Sequence, residues 1–230
     1  MPRYLFIRRR LWIILALAMQ GAAAGAILLS HSPQEESRPA AAPTSQSGPP
    51  WIYGSDGARF TIVVYADFEC PYCQTSIPQL LRWVKANMDV ALQWHHLPLS
   101  AHEPVASREA RLAECQGEVG GAAAFWQTVG WIYANTRGNG QGPAAAAIPP
   151  NLSPAVQACL DSERPAPLVR AQADEAAEAG ITATPTLRLH DRETGRTLTI
   201  EGAVDGSVLL SALDWLSNTP DIASGKHGTP

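Results

Sequence analysis

The sequence predicts an α/β domain, and three observations predict it. An apolar run, Phe60 to Ala66, leads into Cys70-Pro71-Tyr72-Cys73 and then into apolar residues at helical spacing. Further strand-like runs stand at Val90–Leu97 and Thr186–His190, with a long stretch of helical period between them. The resulting order is β-α-β, a helical block, then β-β-α, as in a sheet with helices packed on it.

Each element has its own signal. Phe60-Thr61-Ile62-Val63-Val64-Tyr65-Ala66 is apolar nearly throughout, as a central strand covered on both faces is. After the cysteines Ile77, Leu80, Leu81, Val84 and Met88 recur at helical spacing, with Gln79, Arg82 and Lys85 on the other face. Pro78 falls inside this pattern and predicts a kink. Val90–Leu97 predicts a second strand, reached by a right-handed crossover. Pro104 suits a first helical position, and Val105, Leu112 and Cys115 fall on one face of the helix that follows. Phe125, Val129, Ile132 and Tyr133 mark another amphipathic helix, and the Gly/Pro/Ala-rich segment from Asn135 to Asn151 reads as a loop. Ser153-Pro154 opens a short helix with an N-cap followed by proline. Leu168 to Ala179 makes the next, with Gly180 placed to end it. Thr186–His190 and Arg196–Glu201 pair as a hairpin across the turn at 191–195, and Val208, Leu209, Leu213 and Leu216 mark a last helix.

The chain has 230 residues and divides into four parts. Residues 1–30 place Arg3, Arg8, Arg9 and Arg10 before an apolar stretch from Leu11 to Leu29, the pattern of an export signal. Ala22-Ala23-Ala24 and Ala24-Gly25-Ala26 fit a cleavage site. The continuation through Ile27-Leu28-Leu29 instead approaches the roughly 20 residues that span a bilayer, which favours an uncleaved single-span anchor over a cleaved signal. On either reading the arginines stay in the cytoplasm, and the rest is exported to the periplasm or cell envelope. Residues 31–50 form a Pro/Ser/Ala linker, 51–220 the folded domain with its helical block at about 102–180, and 221–230 a loose tail. The net charge of −4, with no basic cluster outside the leader, argues against nucleic acid as a partner.

The chemistry centres on the C-x-x-C. At a strand-to-helix junction the first sulfur sits at the helix N-terminus, where unpaired N–H groups and the dipole favour thiolate. The second lies one turn on, close enough to close a disulfide or to release a mixed one. Such a pair trades electrons with other thiols. Half a zinc site, or a structural bridge that happens to be short, is the alternative; zinc usually takes a second pair of ligands, and Cys115 and Cys159 are single and far apart. His95 and His96 are consecutive on a strand, face opposite sides and cannot readily share a metal. No metal and no cofactor are expected. His102 reads as a turn or cap residue. Trp126 and Trp131 read as core, in a block where a hydrophobic substrate groove would also fall.

Tyr65-Ala66-Asp67-Phe68-Glu69-Cys70-Pro71-Tyr72-Cys73 resembles the active-site segment of the DsbA-like branch of the thioredoxin superfamily. Gly180-Ile181-Thr182-Ala183-Thr184-Pro185-Thr186 resembles the cis-proline loop of that branch, and Pro78 matches its helix-kinking proline. More than a hundred residues separate Cys73 from Pro185, room for the helical insertion that marks the group. The resemblance covers about Ile52 to Trp215. It implies a thioredoxin-like fold with a helical insertion between the C-x-x-C helix and the cis-proline strand, and a protein thiol–disulfide oxidoreductase. Cys70 would be the exposed nucleophile and Cys73 the buried resolving thiol. Pro185 would lie cis beside them, leaving the Thr184 backbone free to pair with a substrate strand. The implied partners are exported proteins bearing thiols or disulfides, and a membrane redox protein that resets the dithiol.

Isomerases of this superfamily usually dimerise through an added N-terminal domain, and residues 31–50 are too short and polar for one. That favours a monomeric oxidase over an isomerase or reductase, with a tethered metal-binding module as a weaker alternative. Four cysteines make an even set in a disulfide-permissive compartment, and some members of the branch carry a second bridge. Cys115 and Cys159, both pointing into the core of the helical block, are therefore expected to form a structural disulfide, with two buried unpaired thiols as the alternative. One departure stands out: Val64 occupies the position, six residues before the first cysteine, where related enzymes often carry a buried acid. Asp67 and Glu69 are candidates to replace it, but Glu69 beside Cys70 opposes thiolate formation and is expected to face the surface without a catalytic role.

Overall fold

A computed structural model describes residues 48–218. The leader at 1–30, nearly all of the linker at 31–50 and the tail at 221–230 lie outside the described residues. Among the described residues no helix is long and apolar enough to cross a membrane.

Five strands form one sheet: β1 (Ile52–Gly54), β2 (Phe60–Ala66), β3 (Val90–His96), β4 (Thr186–Asp191) and β5 (Thr197–Glu201). Their order is β1-β3-β2-β4-β5. β2 and β3 run parallel, with Phe60 opposite Val90 and Ala66 opposite His96, because the helix between them returns the chain to its starting edge. β4 lies antiparallel to β2, and β5 returns beside β4 as a hairpin. Ile62, Val64, Leu92 and Leu189 are completely buried in the middle of this sheet, each contributing on the order of 2 kcal/mol by leaving water. β1, antiparallel to β3, is not anticipated by the sequence; three residues are too few to show a period of two.

Helix α1 (Pro71–Ala86) starts on a proline whose missing N–H costs nothing there, and it buries Cys73, Ile77, Leu80 and Val84 against the sheet. Pro78 lies within it. Met88 departs from expectation: the helix ends at Ala86, Asn87 turns extended, and Met88 is 75% exposed. Helix α2 (Val105–Asn135) is preceded by Pro104 as its cap rather than as its first residue, and Gly121, at φ 73°, breaks it. The two expected amphipathic segments are thus successive halves of one element. Helix α3 (Pro154–Asp161) is capped by Ser153, whose Oγ accepts the Val156 N–H at 3.3 Å. Helix α4 (Ala166–Glu178) is followed by Gly180 at φ 73°. Helix α5 (Gly206–Ser217) is capped by the Asp205 carboxylate and buries Leu209, Leu213 and Leu216, leaving Val208 in solvent.

The helical block is tied down by specific contacts. Cys115 of α2 and Cys159 of α3 are joined by a disulfide with Cα atoms 5.7 Å apart, in a small core with Leu112 and Val156. The Trp94 indole donates to His96 Nδ1 at 2.9 Å, so the imidazole proton sits on Nε2, which meets Glu114 Oε1 at 2.9 Å. The other Glu114 oxygen accepts from the Trp51 indole at 2.8 Å. This buried chain joins the start of the domain, β3 and α2. His95 points to the opposite face, its Nε2 2.9 Å from the Gln172 carbonyl. Trp126 is core, donating to the Ile52 carbonyl at 3.0 Å, and Trp131 is partly buried against the core.

Candidate functional site

β2 delivers the chain to a turn, Asp67-Phe68-Glu69, and Cys70 caps α1 with extended backbone (φ −76°, ψ 122°). That geometry aims the Cys70 side chain along the first turn of α1, where N–H groups without helical partners converge. The Cys70 thiol is only 4% exposed, not the open nucleophile expected, because the cis-proline loop covers it. Its sulfur lies 3.3 Å from the Thr184 carbonyl, to which the protonated thiol donates, and the Thr184–Pro185 peptide is cis. Cys73 is fully buried one turn on, and the two cysteines are unbonded. Tyr72 between them is 70% exposed. Cys70, Cys73, Thr184 and Pro185 therefore meet at one point.

The two sulfurs are electrostatically unlike. The Cys73 thiol hydrogen-bonds the Cys70 sulfur and, against the opposing effect of burial, lowers its pKa to about 5; the Thr184 side chain and the N–H groups of Cys73 and Tyr72 assist. Burial and the Cys70 sulfur push Cys73 well above an ordinary thiol. At neutral pH the site holds one thiolate and one thiol, the arrangement of a nucleophile backed by its proton donor. Absorbance of the reduced protein at 240 nm is expected to titrate with a midpoint near pH 5, assignable to Cys70 because Cys70→Ser removes it. A midpoint above pH 8 would contradict the geometry.

Around the dithiol stand Asp67, one of the two candidates for the missing buried acid, and His102 and Tyr133, neither of which the sequence places in the site. Asp67 is fully buried: Oδ1 accepts the Glu69 N–H at 2.7 Å, and Oδ2 accepts the Leu99 N–H at 2.7 Å and meets His102 Nδ1 at 2.8 Å. Burial raises its pKa, and those hydrogen bonds oppose the rise. His102, in a short 3-10 turn (Ser100–His102), is thus joined to the active-site turn rather than merely placed in a loop. Tyr133 of α2 donates to the Asp67 carbonyl at 3.2 Å, and its phenol is pushed up by burial and then by the neighbouring Cys73. Val64 lies in β2 with no exposure, so no acid occupies that position.

Glu69 overturns the expectation of a surface residue. It is 0% exposed, accepts from the Thr136 hydroxyl through Oε1 and from the Gly142 N–H at 2.9 Å through Oε2, and so points away from Cys70 into the helical block. Glu109 of α2, 3% exposed, lies beside it; burial and the Glu69 carboxylate push its carboxyl up to about 9. A signal for Glu109 was present, since it falls four residues after Val105 and three before Leu112 on the buried face. For Glu69 there was none, because the residues that satisfy it come from far along the chain.

A family model described as Thioredoxin matches residues 46–205. The crystal structure of Pseudomonas aeruginosa DsbA2 is similar at 43% identity and a TM-score of 0.69, covering 73% of this chain and 94% of that one. Wolbachia pipientis alpha-DsbA1 shares the fold at 16% identity and a TM-score of 0.56, covering 72% and 89% respectively. Among curated proteins, the Na(+)/H(+) antiporter NhaA 3 of Salinispora tropica is 40% identical over 76 residues, 33% of this chain. The chain spans only 11% of that relative's length.

Proposed function

We propose that this chain, a thiol–disulfide oxidoreductase belonging to the DsbA-like group of the thioredoxin family, is an oxidase of the cell envelope that passes the Cys70–Cys73 disulfide to exported proteins. The thiolate of Cys70 carries the reading. A thiol lowered from about 9 to about 5 stabilises the reduced form at pH 7 by roughly 3 kcal/mol, because the thiolate is already favoured two pH units below neutrality. That shifts the couple toward oxidising potential by about 60 mV. The sign follows from linkage: the stabilisation of the reduced protein grows as pH rises from 5 and is lost as pH falls through 5.

In the forward step a substrate thiolate attacks the disulfide at Cys70, breaking the Cys70–Cys73 bond and expelling Cys73 as thiolate, which takes up a proton. A second substrate thiolate then attacks the substrate sulfur of the mixed disulfide and releases Cys70, whose stabilised thiolate is a good leaving group. Two electrons pass from substrate to enzyme. A membrane redox protein then removes them. Pro185, which has no N–H, and the covered Cys70 leave an edge at Thr184 on which an extended substrate can lie. The basic and apolar leader supports an envelope location.

The reduction potential, read by equilibrating the protein with glutathione buffers, tests the direction. A value above about −180 mV is expected of a disulfide donor. One below about −230 mV would replace the oxidase reading by a reductase or isomerase.

A further inference from the structure

The segment from Thr136 to Gly142 holds three glycines in seven residues. Gly138, Gly140 and Gly142 have φ of 70°, 75° and 69°, so the chain curls back on itself. Arg137 closes the curl, its guanidinium donating to the Gly142 carbonyl at 3.2 Å and the Gln141 carbonyl at 2.6 Å. Thr136, Gly138 and Gly142 turn inward and are buried, while Arg137, Asn139 and Gln141 are exposed. The inward side rests on the active-site turn: a Cβ on Gly138 would stand 3.5 Å from the Glu69 carbonyl oxygen and 3.7 Å from the Pro71 ring. The loop therefore borders the residue that follows Cys70.

Its attachment runs mainly through one residue. Asn139 N–H donates to the Glu69 carbonyl at 2.7 Å, the Thr136 hydroxyl to Glu69 Oε1, and Gly142 N–H to Glu69 Oε2 at 2.9 Å. From α1, Gln74 Nε2 adds a bond to the Thr136 carbonyl at 2.8 Å. Glu109 lies against Glu69 from α2, and among the described residues no donor reaches its carboxyl oxygens. It keeps its proton at neutral pH and so spares the pair a second buried charge. The charged and titratable groups facing the pair are Asp67 in the turn and Arg108 on α2. His102 backs the loop at Gly140.

We propose that Glu69 is a positioning residue that seats the 136–142 loop as one wall of the substrate cleft beside Cys70, with Glu109 backing it. Arg137, Asn139 and Gln141 then present polar groups next to Pro71 and the exposed Tyr72, where the main chain of an extended peptide flanking the attacked sulfur would lie. This rests on the reading that protein thiols approach Cys70. A wall of this kind matters to a peptide and little to a small thiol.

The test uses the full chain with Glu69→Ala, Thr136→Val and Glu109→Gln, a synthetic peptide containing two cysteines, and glutathione. In Glu69→Ala and Thr136→Val, the Gly142 amide is expected to exchange with solvent about tenfold faster and KM for the peptide to rise about tenfold, the scale of one lost charge-assisted hydrogen bond. KM for glutathione and the Cys70 titration midpoint should hardly move. Glu109→Gln keeps an uncharged side chain of the same shape beside Glu69 and should retain both the slow Gly142 exchange and the peptide KM. An unchanged peptide KM alongside a loosened Gly142 amide would overturn the wall. Equal losses on both thiols with a moved Cys70 midpoint would also overturn it, by showing that Glu69 acts on the sulfur. Thr136→Val removes one hydroxyl only and carries the test if Glu69→Ala does not fold. A chain inert toward both thiols would instead sink the oxidoreductase reading, and the Gly142 exchange would still decide whether Glu69 seats the loop.

Discussion

Cys70→Ser is expected to abolish disulfide exchange, and Cys73→Ser to accumulate substrates as mixed disulfides. Both follow from the inequality of the two sulfurs. Cys70 is a thiolate at neutral pH and retains some exposure, whereas Cys73 is fully buried and protonated. Without Cys70 no accessible thiolate remains; the loss should reach the background rate of uncatalysed exchange, several orders of magnitude. Without Cys73 the Cys70 thiolate still attacks a substrate disulfide, forming a mixed disulfide and expelling the other substrate sulfur as thiolate, but the internal attack that frees the adduct is missing. Non-reducing electrophoresis of both variants with a disulfide-bearing peptide reads the difference. Adducts on Cys70→Ser and none on Cys73→Ser would reverse the assignment.

The second large effect concerns stability. The Cys115–Cys159 bridge closes a loop with a sequence separation of 44, which in the chain-entropy model stabilises the fold by on the order of 4 kcal/mol. Replacing both cysteines with alanine is expected to lower Tm by roughly 10 °C for a domain of this size. The active-site dithiol should keep its titration, because the bridge lies in a separate small core with Leu112 and Val156 rather than beside Cys70. Calorimetry of the double variant tests it. An unchanged Tm would mean that packing alone holds α3 on α2, and free thiols at both positions in peptide mapping of the native chain would contradict the bridge itself.

Much of this molecule is legible locally. The run at 60–66, the spacing of Ile77, Leu80 and Val84, the Ser153-Pro154 cap and the hairpin at 186–201 each follow from side-chain period and backbone chemistry within a dozen residues. The α/β order and the position of the C-x-x-C at a helix start follow from the same local rules. Where those rules failed, a competing contact prevailed. Met88 continues the helical period, yet the helix stops before it. β1 carries too few residues to signal itself and exists because the free edge of β3 accepts it.

The active-site surroundings divide in the same way. That the Cys73 thiol stands three residues after Cys70 at a helix start, a setting that favours thiolate, is a property of four consecutive residues and their backbone. The sequence alone determined it, while the contribution of Thr184 came from the fold. The fate of Glu69 was decided only by the tertiary structure. Beside Cys70 a carboxylate reads as a repulsive surface charge; in the fold it turns into the helical block and meets Thr136, Gly142 and Glu109, which lie 40 or more residues away along the chain. A buried charge takes its energy from the partners that surround it, and for Glu69 those partners are assembled by the packing of α2 and its loop against the active-site turn.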